Sequence, residues 1–208
     1  MNTKLAAFAA TAAIAILSAG SASAFGLNSA SQRDREYVAT YNASVTQDDN
    51  LTLGREYPTT TRVVVADPTG EAPGTITVDT ENRYLYLSMA GGQAVRYDVG
   101  VGREGFEWSG NARIGRMAEW PAWTPPAAML KRRPDLPRHM AGGLDNPLGA
   151  RAMYLYSGNR DTMFRIHGSN EPWTIGQAVS SGCIRMLNAD VEDLYSRVRV
   201  GSKVIVLR

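Results

Sequence analysis

From Arg62 onward the chain is written in short runs of β-branched and aromatic residues, each broken within a few positions by Gly, Pro, Asn or Asp. Such runs are too short and too often punctuated for long amphipathic helices, and they read as strands joined in antiparallel hairpins. Arg62-Val63-Val64-Val65 opens the series, and Thr75-Ile76-Thr77-Val78 follows the Pro73-Gly74 break. Arg83-Tyr84-Leu85-Tyr86-Leu87 comes after Asp79-Thr80-Glu81-Asn82, and Gly91-Gly92 precedes a run over 94–101. Later strand runs fall at 151–156, 163–167 and 203–207. One helix is expected between the last two, because Val191, Leu194, Tyr195 and Val198 recur at helical spacing, with Asn188 placed to cap it and Gly201 to end it. Residues 108–147 hold most of the prolines and read as a long excursion over one face. The expected fold is therefore mostly β, an antiparallel sandwich or open barrel with a long excursion loop and one late helix.

The start of the chain speaks to compartment. Lys4 is followed by a nearly unbroken apolar run over 5–17, and Ala22-Ser23-Ala24 has the small-x-small form that signal peptidase cleaves. Residues 1–24 are expected to be a signal peptide cut after Ala24, since the run is shorter than the roughly 20 residues of a membrane span. Its removal takes away one cation and no acid, so the net charge falls from +2 to +1. A near-neutral chain is no nucleic-acid binder, and no later run is apolar enough for a membrane span. Residues 25–60 are polar with little apolar periodicity and read as a flexible tether. The expected location is the periplasm.

A single Cys in an exported chain forms no internal disulfide. Cys183 is either buried and inert or kept because it reacts, and its surroundings bear on the choice. Ile166-His167-Gly168-Ser169 is followed by Ser180-Ser181-Gly182-Cys183-Ile184-Arg185. A thiol must become a thiolate to attack a carbonyl, and an imidazole can take its proton and return it to a leaving amine. The chain has two histidines; His167 ends a strand run, whereas His139 sits in a Pro- and Arg-rich stretch, so His167 is the base candidate. Gly182 lets the backbone turn so that its own N–H and that of Cys183 converge as an oxyanion hole. Arg185 is placed to hold the loop through carbonyls or to fork a substrate carboxylate. One Cys and two distant His make no zinc site.

These strings resemble the signature of the YkuD-type L,D-transpeptidases. Weaker landmarks occur in the family's order: Pro73-Gly74-Thr75-Ile76-Thr77-Val78-Asp79-Thr80, Tyr97-Asp98-Val99-Gly100-Val101-Gly102, Trp120-Pro121-Ala122-Trp123-Thr124-Pro125-Pro126 and Asn146-Pro147-Leu148-Gly149. The resemblance implies a catalytic domain over 61–208, with Cys183 as nucleophile and His167 as general base. It further implies support of the Cys loop by Ser180, Ser181 and Gly182, and substrate binding by Arg185, Gly168 and Ser169. Many members carry His before the Gly-Cys where this chain has Ser181, which leaves His167 as the proton acceptor.

The implied reaction needs no cofactor. Cys183 would attack the third-residue carbonyl of a peptidoglycan tetrapeptide stem, expel D-Ala, and pass the acyl group to an amine of another stem or of an envelope protein. The basic stretch at Lys131, Arg132, Arg133 and Arg138 reads as a solvated loop, with reception of the acidic stem as its alternative. Three other readings stand beside transfer. Water in place of the amine makes the same site an L,D-carboxypeptidase. A sortase-like enzyme is β-rich with His, Cys and Arg, but spaces His and Cys much farther apart. A wall-binding module without turnover leaves the nucleophile and base unexplained.

Overall fold

The computed structural model describes residues 57–208. The expected signal peptide and the expected tether up to residue 56 lie outside the described residues. Nine strands form one sheet in the order β1 (Val63–Ala66), β4 (Gln93–Asp98), β3 (Tyr84–Met89), β2 (Ile76–Asp79), β11 (Lys203–Leu207), β6 (Gly110–Glu119), β7 (Arg151–Ser157), β8 (Arg160–His167) and β10 (Ile184–Arg185). A small parallel pair, β5 (Val101–Gly102) with β9 (Ala178–Ser180), stands apart. The hairpins β2–β3–β4 and β6–β7–β8 are antiparallel, as expected. The last two strands meet them differently: β11 joins β2 in parallel and β10 joins β8 in parallel. Pattern within a strand reports burial, not partner direction, so the mixed character is a tertiary result.

The sheet curls far enough that its two halves share one core. Ile76, Leu85 and Tyr97 from one half pack in the same cluster as Ile114, Met153, Leu155 and Ile166 from the other, all fully buried. Gly100 and Arg185 exchange backbone hydrogen bonds of 2.9 and 2.8 Å, tying the end of β4 to the far edge strand β10. This is an open barrel drawn nearly shut, and the stitch falls two residues from Cys183.

Strand β6 lies inside the stretch expected to be excursion. It is ten residues long, yet only Ile114 is fully buried, and Gly115 interrupts its alternation. A Cβ at Gly115 would strike the Tyr156 ring, and the β6–β7 register shifts there. The sequence thus hides a strand behind the packing of one tyrosine. The excursion proper runs over 120–150, with a short helix α1 (Ala127–Arg132) and a bridge between Trp123 and Met140. Buried Asn146 fastens it, donating to the carbonyls of Pro121 at 3.1 Å and Ala141 at 2.9 Å and accepting from Leu148 N–H at 2.9 Å.

The late helix is α2 (Asn188–Arg197), with Val191 and Leu194 fully buried. Its cap differs from expectation: Leu187 is the N-cap residue, and no side chain caps the helix. Asn188 is already helical and turns its amide elsewhere. The helix stops at Val198 in extended conformation, and Gly201 (φ 96°) shapes the next turn, donating to Ile114 carbonyl at 2.8 Å. Asp190, fully buried, accepts from Thr60 Oγ1, from Thr61 N–H at 2.9 Å and from Thr61 Oγ1 at 2.7 Å. Burial pushes its carboxyl up despite these donors. The segment entering β1 is thereby fixed to α2. No helix of the described residues is long and apolar enough to cross a membrane.

Candidate active site

His167 closes β8, and Arg185 is its register partner on β10, so the two side chains share one face of the sheet. Cys183 stands two residues before Arg185, in the turn between β9 and β10. Its thiol takes a hydrogen bond from the Arg165 backbone, the residue two before His167. The two candidates expected to react are therefore brought onto neighbouring segments of one sheet edge.

His167 is 4% exposed, and its Nδ1 lies 2.5 Å from Gly168 carbonyl oxygen. A carbonyl only accepts, so Nδ1 carries the proton and Nε2 keeps its lone pair. Burial, reinforced by the charges of Arg185 and Arg165, holds the imidazole down at about 3. The Cys183 thiol is pushed up by burial, which outweighs the Arg165 backbone donor and the Arg165 and Arg185 charges. At rest the pair is thiol plus neutral imidazole. Such a pair can pass a proton during attack rather than stand as a preformed ion pair.

The Cys loop is braced internally. Buried Ser180 donates through Oγ to Cys183 carbonyl at 2.7 Å and accepts Gly182 N–H at 3.0 Å. The Gly182 N–H is thus engaged, which corrects the expectation that it points with Cys183 N–H at a substrate oxygen; of that pair, Cys183 N–H stays the candidate. Gly182 has φ +109°, and a Cβ there would run into the Phe164 ring. Ser181 is exposed at the turn.

Arg185 does not reach the Cys-loop carbonyls. Its Nη1 lies 2.7 Å from Glu171 Oε2 and 3.3 Å from Thr174 Oγ1, reaching across to the loop after His167 and the short 3-10 turn Pro172–Thr174. Gly168 and Ser169 are packed into the scaffold. A Cβ on Gly168 would collide with Asn188 Oδ1, while Ser169 is 2% exposed and its Oγ accepts Glu171 N–H at 2.9 Å. His139 lies in the exposed excursion, with Nδ1 3.3 Å from Thr124 Oγ1.

Several residues of the site carry no motif. Asn188 Oδ1 accepts from Ala150 N–H at 3.0 Å and Ser169 N–H at 3.2 Å, pinning the start of β7 and the loop after His167 to α2. Trp108 stacks on Phe164 at 5.1 Å beside Gly182. Arg165 places its charge on both Cys183 and His167. An aromatic in the excursion and an arginine at His minus two were the available signals. Among the described residues, no group of three or more His, Cys, Asp or Glu lies together to hold a metal.

Comparison with known proteins bears on the family and the fold. The family described as YkuD, L,D-transpeptidase catalytic domain, matches residues 73–206. The probable L,D-transpeptidase ErfK/SrfK of Escherichia coli is 33% identical over 133 residues, covering 61% of this chain and 41% of that one. The chain thus spans less than half the length of that curated relative. A Brucella melitensis protein described as a probable carnitine operon oxidoreductase is 47% identical over 72% of this chain and 95% of that one, with a TM-score of 0.49. That description stays with that protein. L,D-transpeptidase 3 from Mycobacterium tuberculosis superposes with a TM-score of 0.50 at 17% identity, over 64% of this chain and 60% of that one, a likeness of fold. With its signature match spanning most of the barrel, this chain belongs to the YkuD family of L,D-transpeptidase catalytic domains.

Proposed function

We propose that the protein is an exported L,D-transpeptidase of peptidoglycan in which Cys183 is the nucleophile and His167 the general base. The observation that carries this reading is the contact of His167 Nδ1 with Gly168 carbonyl oxygen: a carbonyl only accepts, so this contact supports an Nδ1–H tautomer whose Nε2 can take the thiol proton. As the sulfur attacks the third-residue carbonyl of a tetrapeptide stem, its proton passes to His167. A C–S bond forms, the C–N bond to D-Ala breaks, and the imidazolium returns the proton to the departing amine. An acceptor amine then attacks the thioester, loses its proton to His167, and restores the thiol. The acceptor is another stem or an envelope protein. Residues 1–24 direct export to the periplasm, 25–60 tether the domain, and 61–208 carry the chemistry.

The test is mass spectrometry of disaccharide-tetrapeptide incubated with the mature protein. A 3–3 linked dimer is expected, and tripeptide alone would show that water is the acceptor. Cys183→Ala should remove all product while leaving the circular dichroism spectrum unchanged; product surviving that substitution overturns the nucleophile.

A further inference from the structure

Three consecutive residues at the entry to β1 land on one face of α2. Thr60 Oγ1 donates to Asp190 Oδ1, and Thr61 donates to Asp190 Oδ2 through its N–H at 2.9 Å and its Oγ1 at 2.7 Å. Arg62 Nη1 lies 3.0 Å from Asp193 Oδ1. Asp190 and Asp193 are three positions apart on the helix and so share a face. The Thr61 hydroxyl has a second partner: it accepts Asp98 N–H, at the end of β4, at 2.9 Å. One hydroxyl therefore joins the first turn of α2 to the end of β4.

Each end of this bridge leads to one half of the Cys–His pair. Two residues past Asp98, Gly100 exchanges backbone hydrogen bonds of 2.9 and 2.8 Å with Arg185, which stands two residues past Cys183. Two residues before Asp190, Asn188 accepts Ser169 N–H at 3.2 Å, and Ser169 follows Gly168, whose carbonyl meets His167 Nδ1. The direct pairing of β10 with β8 spans just two register pairs, Ile184 with Ile166 and Arg185 with His167. So short a ladder leaves the relative placement of thiol and imidazole to the elements behind it.

We propose that Thr61 is a positioning residue for the Cys183–His167 pair, its hydroxyl locking the end of β4 to the first turn of α2 so that thiol and imidazole keep one separation. The inference rests on the transpeptidase reading above, in which this pair does the chemistry. A hydroxyl donates one bond and accepts another at once, which a bridge between a carboxyl oxygen and a backbone N–H requires. Asp190 is fully buried, so water competes little for its bonds to the threonines. Proton transfer between sulfur and imidazole depends on their separation, and a misplacement of about 1 Å can cost on the order of a hundredfold in rate.

The experiment compares two variants of the mature protein on disaccharide-tetrapeptide, at a temperature where melting curves show each one folded. Thr61→Val keeps the shape and removes both bonds of the hydroxyl, whereas Thr61→Ser keeps both. Thr61→Val should lower kcat about tenfold with KM within about twofold of wild type, the pattern of an interaction that acts on the chemical step. Thr61→Ser should bring kcat back near wild type. A wild-type kcat in Thr61→Val, equal losses in both variants, or a loss carried by KM alone overturns the positioning role and leaves the transpeptidase reading standing. Should Thr61→Val not fold, Asp190→Asn takes its place, since it keeps the shape and one acceptor oxygen. A lowered kcat with little change in KM is then expected, and a wild-type kcat overturns the role. If neither variant folds, the bridge serves folding and the role is overturned as well. Failure of wild type to process the stem overturns both readings.

Discussion

The Arg185 guanidinium lies 2.7 Å from the Glu171 carboxylate, tying the residue two positions after the thiol to the loop that follows the imidazole. The two side chains are 21% and 41% exposed, so solvent screens the pair and its contribution to stability is about 1 kcal/mol or less. Its value lies in geometry. The Arg185 backbone is already stitched to Gly100, so a change of side chain leaves the strand in place. Arg185→Lys should lower stem kcat/KM about tenfold with little loss of thermal stability, because lysine lacks the planar fork. Glu171→Gln should act in the same direction. Steady-state kinetics beside a melting curve decide it: a wild-type rate for both variants makes the clamp irrelevant, and a large drop in melting temperature makes it structural.

His167 offers a test that needs no substrate. Its folded-state value of about 3 lies below the ordinary histidine value of 6.5, so the unfolded chain binds the proton more readily. Its contribution to stability is therefore complete above about pH 6.5 and is lost as pH falls towards about 3. At about pH 5 the loss amounts to roughly 2 kcal/mol. Denaturant unfolding at about pH 7 and pH 5 should show this extra acid sensitivity in wild type and not in His167→Gln. The same substitution should cut turnover by a factor on the order of 10² or more. His139→Ala should leave both measurements near wild type, since its ring is exposed and meets Thr124.

Gly182 is held by two constraints at once. Its φ of +109° disfavours any side chain, and a Cβ would enter the Phe164 ring that stacks on Trp108. Strain and clash together should cost Gly182→Ala about 1–3 kcal/mol of stability. Because the same turn presents Cys183, alkylation of the thiol by iodoacetamide should also change rate. Gly182→Ala with wild-type melting and wild-type alkylation would mean that the turn is looser than its geometry implies.

The hairpins, the late helix and the His–Cys constellation were legible because each is written locally. Alternation in 84–87 or in 203–207 is a property of a few adjacent residues, and so is the Ser-x-Gly-Cys-Ile-Arg string. What escaped is written between distant positions. Strand β6 is masked by Gly115, whose lack of a side chain is explained only by Tyr156 on the neighbouring strand. The parallel partners of β10 and β11 are chosen by the closing of the sheet. Arg185 and Gly168 were placed in the right neighbourhood, but their protein partners were not named. Nothing in the sequence near Arg185 marks Glu171 as its partner, nor does anything near Gly168 mark Asn188 as the group that requires a glycine.

Asn188 is the residue whose reading changed most, from helix cap to staple, and it supports the fullest prediction. Its Oδ1 accepts Ala150 N–H at 3.0 Å and Ser169 N–H at 3.2 Å, while Gly149 and Gly168 leave room for the amide to approach. The first bond fixes the entry to β7, the strand that registers His167 through Ala152. The second fixes the loop that leaves His167. Removing the acceptor strands two buried N–H groups, each costing about 1–3 kcal/mol if water does not replace it. Asn188→Ala should therefore destabilise the domain by about 2–4 kcal/mol, and Asn188→Asp should do less damage to those bonds because it keeps an acceptor in the same place. Turnover should fall in Asn188→Ala even at a temperature where the chain is fully folded, because Gly168, which orients the imidazole through its carbonyl, is then held from one side only. Denaturant unfolding and stem kinetics on the same preparation separate the two effects. A destabilised variant that turns over stems at the wild-type rate would show that Asn188 supports the fold and plays no part in aiming His167.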